Sequence, residues 1–227
     1  MHLRVTPEAH ALGLHHPRAW RLSSTRPLLG TDGLSAEQVD ALFDAGNAIP
    51  DGYRELLTRL GHPGVIPAGE RLRDVLRTRG WKSHGAVVDA VSVATLRHGG
   101  GIGLHRWLPV DGHRSLVVTR AAGGERITPA FATRSRPVPP GDLVYGSQAS
   151  DDELELFAWL GRRDCDSADR QLTVDDKEAL LVVLGCPGED AVHAKEIGTT
   201  IAEVLGSVRP DVAMGEVPVE RDRALES

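Results

Sequence analysis

The residues with the most chemical potential lie between Val87 and Gly112. A helix-patterned apolar run there breaks into Gly99, Gly100, Gly101 and Gly103, then into Leu104-His105-Arg106-Trp107. Glycine serves where φ is positive or where backbone must approach another group closely. A packed helix feeding a glycine rim, with an imidazole, a guanidinium and an indole beside it, is one way to build a pocket mouth. The same composition also serves an ordinary loop. The run is neither G-x-G-x-x-G after a strand nor G-x-x-x-x-G-K-[ST], so neither phosphate motif applies.

The cysteines carry less. Cys165 and Cys186 form no disulfide framework and no C-x-x-C pair, and no His/Asp partner lies near Cys165 in sequence. No metal site and no cofactor are expected, and a reducing cytoplasm is the simplest location.

Charge is uneven. The chain carries −6 overall, but residues 71–136 hold twelve Lys/Arg against four Asp/Glu, and residues 151–227 hold eight against nineteen. A basic centre between acidic ends can present a positive face to a polyanion, although scattered solvated charges give the same count. In the basic stretch only Lys82 is a lysine; arginine is the better bidentate phosphate ligand.

These groups must be positioned by elements. Strand-like pieces are expected near Leu3–Val5 and Ala19–Leu22. Ser35-Ala-Glu-Gln38 fits a capping box before a helix with Val39, Leu42 and Phe43 on its apolar face. Further helices are expected over 52–60, 69–78 and 87–97, with Arg71, Arg73, Arg77 and Arg79 as a basic edge of the second. Residues 115–119 read as a strand whose hairpin partner is 125–131, across Ala121-Ala-Gly-Gly124. Residues 134–141, with three prolines, read as a rigid loop, and 142–145 and 154–159 as two more strands. Thr173–Asp176 suits a turn before the apolar run 179–184, and a helix is expected over 189–205. His98 and His113 read as surface residues. Residues after 212 are acidic and read as frayed. The pattern predicts an α+β fold, helices packed on a mainly antiparallel sheet. A length of 227 residues and 41% hydrophobic content suffice for a substantial core, and no apolar run approaches the roughly 18 residues of a membrane span.

Ordered pieces of this chain resemble one known module. Val88-Asp89 through Gly99 is similar to its "VD…N……L…G" helix, and Thr119–Ile127 to its "R.A..GE.." hairpin. Pro140–Tyr145 is like "PGE.VY", and Leu172–Val183 like "T..T..A.FLVEG". The module is the editing unit, the third and fourth domains, of the bacterial phenylalanyl-tRNA synthetase beta subunit, which also occurs as free-standing proteins. The resemblance runs over roughly residues 50–205. It implies an N-terminal extension packed on the core (1–50), an editing-like domain (51–208) and a flexible acidic tail (209–227).

The activity it implies is trans-acting deacylation, hydrolysis of a noncognate aminoacyl ester from tRNA. The partners would be the aminoacylated tRNA end and its amino-acid moiety, with no membrane. An activated ester asks the site to orient a water and stabilise an oxyanion, which backbone amides on a glycine rim can do without metal. The family's asparagine, proline and histidine fall on Ser92, Gly101 and Gly103 here. His105 shares a strand face with Gly103 and becomes the catalytic candidate, since a near-neutral imidazole suits water activation. Substrate contacts are expected from Ser92, Gly99, Gly100, Gly101, Gly103 and the hairpin Glu125. The family's late acidic stretch corresponds to 162–169, where Asp164, Asp166 and Asp169 are candidates to bind an amino group or hydroxyl, with Asp164 and Asp169 carried forward. Arg73, Arg77, Arg97 and Arg106 would meet tRNA phosphates. Two rivals stand beside this reading: a non-catalytic tRNA or amino-acid binding module, and a small-molecule enzyme reusing the pocket.

Overall fold

Alternation of apolar residues between two buried faces sets the architecture. The computed structural model describes residues 1–42, 52–149 and 153–220. In chain order the elements are β1 (His2–Val5), α1 (Pro7–His10), β2 (Arg18–Ser23), α2 (Ala36–Leu42), α3 (Gly52–Arg59), α4 (Ala68–Arg79), α5 (Ala86–His98) and β3 (Ile102–Arg106). There follow β4 (Ser115–Arg120), β5 (Arg126–Ile127), β6 (Arg136–Pro137), β7 (Leu143–Gln148), β8 (Glu155–Leu160), β9 (Asp164–Asp166), β10 (Glu178–Val183), α6 (Ala191–Val208) and β11 (Ala213–Glu216). Short 3₁₀ turns cover Pro109–His113 and Ala168–Arg170. No described helix is long and apolar enough to cross a membrane.

The strands form a five-stranded sheet ordered β1-β4-β7-β8-β9, a four-stranded sheet ordered β11-β2-β10-β3, and the β5-β6 pair. Among the described strand pairs only β1–β4 is parallel, and an isolated parallel bridge joins Leu3 to Val219. β10 explains the layering. Its run Ala179-Leu-Leu-Val-Val183 is buried on both faces, as expected of a central strand covered on each side. Ala179, Leu181 and Val183 pack with residues of α5 and α6; Leu180 and Val182 join Leu116, Tyr145, Phe157 and the α3 residues Tyr53, Leu56 and Leu57 between the two sheets. A third cluster, with Ile127, Val138, Val144 and Trp159, covers the outer face of the larger sheet.

Local chemistry agrees with the helix starts. Ser35 N donates to Gln38 Oε1 at 2.8 Å and Gln38 N to Ser35 Oγ at 3.3 Å, the reciprocal capping box. Buried Asp89 accepts from Leu34 N, His84 N and Ser83 Oγ, tying the preceding loop to the first turn of α5. Phe43 lies outside the described residues.

Two expectations change. Residues 125–131 do not return against β4: β4 pairs with β1 and β7, while Arg126–Ile127 pair with Pro137–Arg136 inside the proline-rich loop. The double glycine at 123–124 lets the chain leave the sheet plane, with φ of 104° and 99°. The N-terminal segment, expected as an extension packed on the core, supplies β1 and β2 to the two sheets within its described residues 1–42. Residues 210–220 are not a free tail. β11 pairs with β2, and Val217 is buried.

Candidate functional site

β9 brings two carboxyls to one place. Alternation along Asp164-Cys165-Asp166 sends the two aspartates to the face of Leu160 and Ala158, their partners on β8, and Cys165 to the opposite face with Trp159. The aspartate face adjoins the intersheet core, where α3 supplies Tyr53 and β7 supplies Tyr145. Asp164 accepts from Arg71 Nη2 at 3.0 Å and from the Tyr53 hydroxyl. Burial raises its pKa despite those two partners. Burial likewise pushes Asp166 up to about 7, and the neighbouring Asp164 charge adds to the shift. Cys165 is raised to about 11, by burial and then by Asp166 and Asp164, so it is a neutral thiol at physiological pH.

Arginines surround the open side. A cleft of about 280 Å³ is lined by Val65, Arg71, Arg162, Arg163, Asp164 and Cys165. Arg162 and Arg163 also line an adjoining cleft of about 570 Å³ with Arg136 and Trp159. The result is one carboxyl, Asp164, in a groove with cationic walls, with Asp166 two residues further along the strand on the same inward face. An ammonium group suits the inside and phosphates suit the rim. A carboxyl with a pKa near 7 can also exchange a proton at neutral pH.

His105 does not face this cleft. Pairing of β3 with β10 puts Gly103 opposite Val182 and His105 opposite Leu180, the residues that point into the intersheet core. The two do share a face, as expected, but it is sealed: His105 is 0% exposed. Its Nε2 bonds Tyr145 Oη at 2.7 Å, and its ring lies against Phe157. Burial, and then Arg170, lower its pKa to about 3. It is a neutral imidazole that holds Tyr145 and has no solvent-exposed surface. His98 is also buried rather than on the surface, and bonds Thr200 Oγ1.

The glycines are packing positions. Gly99, Gly100, Gly101 and Gly103 are all buried. A β-carbon on Gly100 would meet the Tyr53 ring at 2.9 Å, and one on Gly101 the Cys186 sulfur at 2.8 Å. On Gly103 it would lie 2.0 Å from Tyr145 Oη. These residues let two sheets and α3 close on one another, and they present no open rim. Ser92 is half-buried on α5. Glu125 spends both oxygens on its own turn, accepting from Ala122 N and Gly123 N at 2.7 Å each. Asp169 is exposed and lines a different cleft, with Arg126, Ser135 and Glu153.

The expected phosphate ligands divide. Arg73 Nη2 donates to Leu96 O at 2.6 Å, on the last turn of α5, and Arg106 Nε to Asp176 at 2.9 Å, so both are engaged in tertiary contacts. Arg77 is exposed and pairs with Asp74; Arg97 is exposed. None of the four lines the cleft, whereas Arg71, Arg136, Arg162 and Arg163 do. Period-two alternation in the Asp164–Asp166 strand was the signal available for the carboxyl pair. Tyr53 and Tyr145 come from distant elements and leave no local signature.

No family model and no curated protein matches the chain. Among solved structures, it is similar to an N-terminal fragment of the phenylalanyl-tRNA synthetase beta subunit from Pyrococcus horikoshii, at 8% identity and a TM-score of 0.46. That alignment covers 96% of this chain and 54% of the other, so the chain spans about half the length of that structure.

Proposed function

We propose that this protein is a trans-acting aminoacyl-tRNA deacylase, with its site at the Asp164–Asp166 cleft and not at the glycine turn. The observation that carries the reading is half-buried Asp164 in an arginine-walled groove, with Asp166 beside it on the same strand face, which fits an aminoacyl ester on a nucleic-acid end. The ordered sequence resemblance to the synthetase editing module supports the same substrate class. Asp164, held by Arg71 and Tyr53, would receive the substrate ammonium. Asp166 would take a proton from the attacking water as the ester carbonyl becomes tetrahedral, then return it to the departing ribose oxygen. Arg136, Arg162 and Arg163 would hold the phosphates.

The test is hydrolysis of a panel of labelled aminoacyl-tRNAs, beginning with tyrosyl-tRNA(Phe), by wild type, Asp166→Asn and the double variant Arg162→Glu/Arg163→Glu. At least one ester is expected to turn over. Asp166→Asn should lower that rate about 100-fold. The double arginine variant should weaken tRNA binding and flatten its dependence on salt. A second reading, a non-catalytic binding module, draws on the sealed His105 and on Gly103 and Ser92 at the family's histidine and asparagine positions. Salt-sensitive tRNA binding without turnover across the panel would select it and reject catalysis.

A further inference from the structure

The junction of α5 and α6 carries a cluster that the aminoacyl site does not use. His98 is the last residue of α5, and His193 and Glu196 are three apart near the start of α6, hence on one face of that helix. One donor atom from each of the three lies within 4.8 Å of the others. Around a zinc ion, with ligand bonds of about 2.0–2.2 Å, donors sit about 3.4 Å apart, so small side-chain rotations close the set.

Two details point the cluster at a cation. His193 Nε2 is buried without a hydrogen-bond partner, and the ion-pairing oxygen nearest it, Glu189 Oε1, is 3.9 Å away. His98 Nε2 is bonded to Thr200 Oγ1 at 2.8 Å, which fixes the ring and leaves Nδ1 as its second donor atom. A ligating histidine is typically oriented by such a bond through its other nitrogen. The two imidazole rings lie 5.6 Å apart and 78° to one another.

We propose that His98, His193 and Glu196 bind one divalent transition-metal ion of the zinc class. Two imidazoles and one carboxylate favour zinc, cobalt or nickel over magnesium or calcium. Three protein ligands leave a fourth position, and Glu196 lies on the exposed side where water fills it. The ion would staple the end of α5 to the start of α6, directly before Gly99–Gly101 and the Tyr53 ring they pack on. The site stands on its own geometry and is independent of the deacylase reading.

Cobalt(II) titration of the full chain without a histidine tag tests it, using the visible absorption of a tetrahedral ion and competition by zinc. The background carries His10→Gln and His15→Gln, because those two rings already touch at 2.8 Å and form a rival surface site. One equivalent should bind, zinc should displace it, and zinc should raise the melting temperature. Glu196→Ala and His193→Gln should each weaken binding tenfold or more. Glu196 is exposed, so its variant folds as wild type does and removes misfolding as an explanation. Failure to bind one equivalent, or affinity unchanged in both variants, overturns the proposal. So does binding that disappears with His10 and His15 but survives His98→Gln.

Discussion

At the residue scale, the role proposed for Asp166 would tie stability to activity with opposite signs. Its folded pKa is about 7, above the ordinary 3.8. Between those values the folded state binds more protons than the unfolded chain, so this group's contribution to stability falls as pH rises through the window. Asp166→Asn removes a charge the fold disfavours. The variant should therefore be more stable than wild type at pH 8, on the order of 1–2 kcal/mol, and should lose that advantage at pH 4. Denaturant titrations at the two pH values measure this. If the proposed deacylation uses Asp166 as its base, the wild-type rate should rise to a plateau with a midpoint near pH 7, since the base acts when ionised. A variant that gains stability while losing turnover is the mark of a residue kept for chemistry. Asp164 and Asp166 were legible as an acidic stretch. Their special environment was not, because burial between two sheets is a tertiary fact.

At the element scale, β3 shows how a correct local reading can lead to the wrong role. Residues 103 and 105 were legible as sharing a face, and so was the glycine turn before them. Which way the face points depends on the pairing with β10, some 75 residues later, and that pairing turns it inward. Gly103 then becomes a space requirement. Gly103→Ala would press its methyl group against Tyr145 Oη and His105 Nε2. The substitution should cost about 1–3 kcal/mol, seen as a lower denaturation midpoint. The helices expected over 52–60, 69–78 and 87–97 were legible nearly to their ends, because apolar periodicity and glycine stops act within a few residues; the short α1 was not expected. The β5-β6 pair was missed, because a hairpin with proline in one strand has little periodicity to read.

For the whole molecule, the charge pattern by sequence misplaces the basic surface. Arg162 and Arg163 come from the acidic C-terminal part and meet Arg71 and Arg136 from the basic centre only after folding. The expected boundaries at 50 and 209 separate strands that share a sheet: β1, β2 and β11 lie in the same sheets as strands from the middle of the chain. A chain stopped at Arg209 should lose β11 and the buried Val217, and with them on the order of 3 kcal/mol. Thermal denaturation of that truncation against the full chain measures the loss.

The contact between the two ends has a consequence in time. Leu3 N donates to Pro218 O and Glu220 N to Leu3 O, while β1 lies beside β4. A ribosome delivers residue 3 more than two hundred positions before its last partner, so the first strand emerges without the segments that cover it. Such long-range closure is slow, and the outer edge of β1 stays uncovered until residues 218–220 have been made. Pairing with β4 can come first, but the edge of the larger sheet is open to other strands until that later segment arrives.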